Sequence, residues 1–91
     1  MKAKYITGNT VLDLGTDVPF VANNTVVAIN PNTSTARTVQ FGASAAGPFS
    51  TGVQPDGSAA IVPAGGAIEV VLRERYAAIE AGAGTVILLA N

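Results

Sequence analysis

Short apolar runs alternate with turn-forming residues along almost the whole chain. "KYI" and "TVLDL" are divided by Gly8-Asn9, and "DVPFVA" leads to Asn23-Asn24. "TVVAIN", "RTVQFGA", "AAIV" and the terminal "TVILLA" follow, each bounded by Gly, Pro, Asn or Ser. Within "RTVQFGA", Val39 and Phe41 point to one side and Thr38 and Gln40 to the other, the two-residue period of a strand. In "NPNTST", Asn30 and Asn32 can bond their own backbones, and Pro55-Asp56-Gly57 is a strong turn signal. The small-residue stretch "SAAGPFSTGVQPDGS" reads as a long crossing between strands. Turns at this spacing predict an all-β fold, a small antiparallel β-sandwich or barrel-like domain of about seven to eight short strands. With no internal repeat and no linker composition, residues 1–91 read as a single domain.

One segment fits two periods. Ile68, Val71, Leu72, Tyr76 and Ile79 fall on one face of a helix, and Glu69 precedes Arg73 by one helical turn. That reading gives an α+β fold with a helix at about 67–81. Read as strand, Ile68, Val70 and Leu72 share a face, but Ile79 falls on the opposite parity, so one flat strand cannot hold both sets. A bulge or bend at Arg73-Glu74-Arg75 repairs the phase. The segment lies between glycine turns, lacks a Ser, Thr, Asp or Asn cap, and carries β-branched Ile68, Val70, Val71 and Ile79. Strands are the expectation. Val86, Ile87, Leu88 and Leu89 are consecutive apolar residues, so both faces of the last strand should be covered.

Composition changes the picture in one respect. Charged residues are 12% of the chain, against about 25% in an average domain. A chain of 91 residues exposes much of its surface, so some of it should be covered by copies of itself or by a larger assembly. The formal net charge of −1 and five scattered basic residues argue against nucleic acid. The absence of Cys and His removes disulfides, thiol chemistry and the usual zinc ligands. "MKAKYITGNT" lacks the apolar core of a signal peptide, and no apolar run is long enough to cross a membrane as a helix. The expectation is synthesis in the cytoplasm and no membrane partner.

Candidate chemistry is sparse. Without histidine, a nucleophile has no imidazole base beside it. Asp13-Leu14-Gly15-Thr16-Asp17 is the densest oxygen cluster and could in principle hold calcium, but carboxylates at this spacing usually form turns. "PAGGA" and "GAGAGT" are glycine-rich without the Gly-Lys-Ser/Thr of a phosphate loop. The Asn-x-Ser/Thr sites at Asn23 and Asn32 carry no meaning without secretion. The chain reads as a non-enzyme with no cofactor and no metal.

The C-terminal third, "VPAGGAIEVVLRERYAAIEAGAGTVILLAN", resembles the ends of small structural proteins of tailed bacteriophages. The matching residues are Pro63–Gly66, Arg75, Tyr76, Ile79, Ala81, Gly84, Thr85 and Val86. Among such proteins the short, cysteine-free, all-β members are typically head decoration (cement) proteins, often trimers on capsid lattice axes. The resemblance therefore implies a virion protein that binds the outer head surface, with the major capsid protein and copies of itself as partners. Residues 1–7 would then serve as an N-terminal arm, with Lys2, Lys4, Tyr5 and Ile6 contacting the capsid. Ile68, Val70, Leu72, Tyr76, Ile79, Val86, Ile87, Leu88 and Leu89 would form the core or the subunit interface. The alternative is a glycan-binding or oligomerisation module of a phage tail or spike.

Overall fold

The computed structural model describes residues 1–15, 17–80 and 84–90. The described residues form nine strands: β1 (Lys2–Thr7), β2 (Leu12–Asp13), β3 (Thr25–Ile29), β4 (Arg37–Gly42), β5 (Ser50–Thr51), β6 (Ile61–Val62), β7 (Ala67–Val71), β8 (Tyr76–Ile79) and β9 (Thr85–Ala90). They build two antiparallel sheets. The first, sheet A, has the order β1-β9-β3-β7; the second, sheet B, has five strands in the order β2-β8-β4-β5, with β6 also paired to β4. The expected all-β sandwich is the fold, with somewhat more strands than the pattern predicts.

The core lies between the sheets. Sheet A contributes Ile6, Val26, Ala28, Val70, Val86 and Leu88, and sheet B contributes Val39, Phe41, Val62, Ala77 and Ile79, all buried. Each set occupies alternate positions of its strand, so the two-residue period decides which side chains meet. The register agrees: Ile6 stands opposite Val86, Ala28 opposite Leu88, and Val39 opposite Ile79.

The disputed segment resolves as two strands in different sheets. β7 pairs with β3 in sheet A and β8 pairs with β4 in sheet B. Residues 72–75 carry the chain across the sandwich, so the phase slip at Arg73-Glu74-Arg75 is a corner between sheets and not a bulge within one strand. Leu72, fully buried at that corner, still belongs to the β7 phase. No helix spans 67–80, and Ala81, like the Gly82-Ala83 part of the following turn, lies outside the described residues.

Three further expectations are corrected. "DVPFVA" is not a strand. The amide of Phe20 donates to the carbonyl of Asp17 at 2.6 Å, and this turn drops the Phe20 ring into the core, 1% exposed. The "SAAGPFSTGVQPDGS" crossing contains β5, which pairs Thr51 with Gln40 and Ser50 with Phe41. Beyond it, Val53 bridges to Val71 and so ties the two sheets along one side. The third concerns the N-terminus. Residues 2–7 are no free arm but an edge strand paired with β9 along its whole length, from Lys2 opposite Ala90 to Thr7 opposite Thr85.

The crossing from sheet A to sheet B after β3 is held by one polar side chain. Asn30 is fully buried, and its amide donates to the carbonyls of Thr35 at 2.9 Å and Val62 at 3.2 Å. Its side-chain oxygen accepts from the amide of Asn32, whose own Oδ1 accepts from the amides of Ser34 and Thr35. A buried amide side chain is tolerated because its polar atoms find partners.

Candidate interaction surface

The two sheets differ on their outward faces. Sheet B presents Asp13, Thr38, Gln40, Thr51 and Tyr76 outward together with Ala78 and the 49% exposed Ile61, a mixed polar and apolar surface. Sheet A does not. In register across it run Tyr5, Ile87, Ile29 and Ala67, and next to them Ala3, Leu89, Val27 and Glu69. Val71, opposite Thr25, extends the face at one end. Within these two rows Glu69 is the one charged residue, at the β7 rim.

This face follows directly from the local sequence. β9 is apolar at consecutive positions, so Val86, Leu88 and Ala90 fill the core while Ile87 and Leu89 are left outward and half-buried. β3 repeats the arrangement, with Val26 and Ala28 inward and Val27 and Ile29 outward. A single exposed aliphatic residue is normal on any protein; adjacent outward, half-buried aliphatics on two central strands form a contiguous apolar patch. Tyr5 adds a large amphipathic ring, 58% exposed, at the β1 rim. Residues of this type dominate binding energy at interfaces.

The ion pairs lie elsewhere. Lys2 and Lys4 both reach the Asp17 carboxylate, at 3.3 and 3.2 Å. Lys4 also lies 5.5 Å from the centroid of the Phe20 ring. The hydrogen bond from Lys4, followed by that from Lys2, holds the Asp17 carboxyl below its ordinary pKa. Arg75 grips Asp13 with both ends of its guanidinium, Nε to Oδ1 at 2.8 Å and Nη2 to Oδ2 at 2.9 Å. This fork lowers the Asp13 pKa, mainly through the hydrogen bonds, and raises that of Arg75. The two carboxylates of the Asp13–Asp17 stretch thus face different cations; Thr16 lies outside the described residues. Among the described residues no group of three or more His, Cys, Asp or Glu is placed to hold a metal ion.

A cavity of about 280 Å³ opens at the far end of β4, walled by Ser44, Ser50 and Thr51 on one side and Arg73 and Glu74 on the other. Its aromatic lining residue, Phe41, is 2% exposed, so no ring is available for a sugar to stack on. Among the described residues no helix is long and apolar enough to cross a membrane.

The residues singled out from the sequence separate into three groups. Val70, Leu72, Ile79, Val86 and Leu88 are interior, and Ile68 packs against them from a partly buried position. Ile87 and Leu89 lie on the outward face of sheet A, while Tyr76 lies half-buried on that of sheet B, its ring 5.3 Å from the Arg75 guanidinium. Of the proposed capsid contacts, Lys2 and Tyr5 are exposed and Lys4 is half-buried. Ile6 is fully buried against the core and can contact no partner without unfolding β1. Val27 and Ile29 escaped the sequence reading; their signal was the unbroken apolar run "VVAI". The residues that carry the resemblance build turns and strand starts: Gly66 closes a turn on the carbonyl of Pro63 before β7, and Tyr76 opens β8. No protein family, curated protein or solved structure matches the chain at a significant level.

Proposed function

We propose that the protein is a structural component of a tailed-bacteriophage virion, a head decoration (cement) protein that works by burying surface between subunits. The observation that carries the reading is the outward face of sheet A, where Val27, Ile29, Ile87 and Leu89 form an aliphatic centre in place of a solvated surface. The phage-like C-terminal third supports the particular class. Decoration needs no chemistry from the protein. It needs a rigid scaffold, an apolar contact area and many copies, each contributing roughly 25 cal/mol per Å² of apolar surface removed from water. Lys2 and Tyr5, on the open β1 edge, are the candidates for touching the shell, as parts of a folded strand.

The test is direct. Purified protein is mixed with undecorated heads assembled from the major capsid protein of the same phage and sedimented through sucrose. Saturable co-sedimentation supports the reading. Protein that stays at the top of the gradient at every ratio overturns it.

A further inference from the structure

We infer that Asp56–Gly57 is a covalent modification site, where aspartate rearranges spontaneously to isoaspartate through a cyclic imide, and that the Ser58 hydroxyl is the brake on this reaction. The rearrangement is a property of the turn between Val53 and Ala59 and goes beyond the functional reading.

The chemistry needs only water. The backbone nitrogen of Gly57 attacks the side-chain carboxyl carbon of Asp56, and a C–N bond forms. The carboxyl OH leaves with the proton of that nitrogen as water, which closes the imide ring. Water then adds back at one of the two imide carbonyls. Opening at the former side-chain carbonyl restores aspartate. Opening at the former main-chain carbonyl leaves the backbone running through the side-chain carbon, which is isoaspartate.

The attacking nitrogen must be uncrowded, and that selects one position. Asp56 is the one Asp or Asn of the chain that precedes a glycine; Asp13 and Asp17 precede Leu14 and Val18. A Cβ placed on Gly57 would meet no atom of the described residues within 4 Å, so ring closure is not opposed by packing. Asp56, Gly57 and Ser58 are all exposed to the water that opens the ring.

The same turn slows the reaction. The amide and the hydroxyl of Ser58 both donate to Oδ1 of Asp56, at 3.0 and 2.6 Å. These bonds, the hydroxyl's first, hold the Asp56 carboxyl below its ordinary pKa. The ionised carboxylate is the unreactive form, because water leaves only from the neutral acid. The Gly57 amide is also engaged, donating to the carbonyl of Gln54 at 2.9 Å. The folded turn therefore reacts more slowly than the same residues in a free peptide, and loss of the Ser58 hydroxyl releases it. Isoaspartate adds a backbone carbon to a hairpin closed by the Gln54 amide on the carbonyl of Ser58 and by the Val53–Ala59 bridge. Val53 also bridges to Val71, so the change loosens one tie between the sheets.

The full chain, its Ser58→Ala, Ser58→Thr and Gly57→Ala variants and a capped peptide of residues 53–59 are incubated side by side at neutral pH. Isoaspartate is counted with an isoaspartyl methyltransferase and placed by peptide mass spectrometry, in which the imide is lighter by one water. The native chain should gain isoaspartate at Asp56 several-fold more slowly than the peptide. Ser58→Ala should gain it several-fold faster than the native chain, with unchanged circular dichroism. Ser58→Thr, which keeps the hydroxyl, should match the native rate, and Gly57→Ala should suppress the product. No isoaspartate in Ser58→Ala by the time the peptide is half converted overturns the inference. So does a native chain that reacts as fast as the peptide, or a Ser58→Ala variant that reacts at the native rate.

Discussion

Asn30, at the end of β3, hydrogen-bonds through its buried side chain to the carbonyl of Val62 in β6, which belongs to the opposite sheet. The same amide holds Thr35, and the side-chain oxygen holds the Asn32 backbone, so one residue fastens the loop between the sheets to the core edge. Asn30→Ala strips partners from two carbonyls and an amide and opens a small void. Each buried group left unpaired costs about 1–3 kcal/mol. Urea denaturation should show a loss of at least about 2 kcal/mol, and Asn30→Leu, which fills the space but not the bonds, should recover little. Full recovery by leucine would mean that packing, not hydrogen bonding, is what Asn30 supplies.

The N-terminal strand is part of the domain. Ile6 is fully buried, and β1 pairs with β9 over six positions. Ile6→Ala should therefore destabilise by about 2–5 kcal/mol, the range for a truncated core aliphatic. Deletion of residues 1–7 should prevent cooperative unfolding altogether, because it exposes the apolar flank of β9. A truncated chain with wild-type thermal stability would restore the arm.

The N-terminal edge is only partly legible in the sequence, through the short apolar run "KYI". Lys2 and Lys4 look like solvated charges in "MKAKYIT", yet Lys4 takes an inward position in the β1 alternation, opposite Leu88, and is accommodated by the Phe20 ring and Asp17. Those partners come from a turn whose contacts are long-range. The strands themselves were legible because β-branched residues and turn formers punctuate the chain so regularly. The outward face of sheet A was half legible, in the run from Val86 to Leu89, since consecutive apolar residues must occupy both faces. Its completion by Val27 and Ile29 depends on β9 lying between β1 and β3, an order no local pattern specifies. The helical period at 67–81 has a similar origin: a strand that changes sheets shifts its phase, and over about three turns this imitates a helix.

Gly52 and Gly57 separate two reasons for glycine. A Cβ on Gly52 would stand 2.7 Å from the Phe41 ring and 3.1 Å from the Val39 carbonyl oxygen, inside the β4–β5 edge. Gly57 has open space around it but a φ of +89°, in the turn after Asp56. Gly52→Ala should lose about 1–3 kcal/mol through overpacking. Gly57→Ala should lose about 1 kcal/mol through backbone conformation alone. Thermal unfolding of both variants checks the order; a reversed order would show that the β4–β5 edge yields more readily than the turn.

The paired carboxylates predict an acid limb with a defined sign. The Asp13 and Asp17 pKa values lie below their ordinary 3.8 in the folded chain, chiefly because Arg75 and Lys4 hydrogen-bond to the charged forms. The unfolded chain binds protons more tightly at these groups, so their contribution is complete above pH 3.8 and is lost as pH falls through the lowered folded values. Both groups are exposed, so the effect is modest and screened by salt. Asp13→Asn breaks the fork to Arg75 and should lower the urea midpoint slightly at neutral pH. As the pH falls below the lowered folded value the variant and the parent should converge, because the aspartate is then protonated in both the folded and unfolded chain. A gap that persists unchanged as the pH falls through this limb would mean that the charge on the fork contributes nothing.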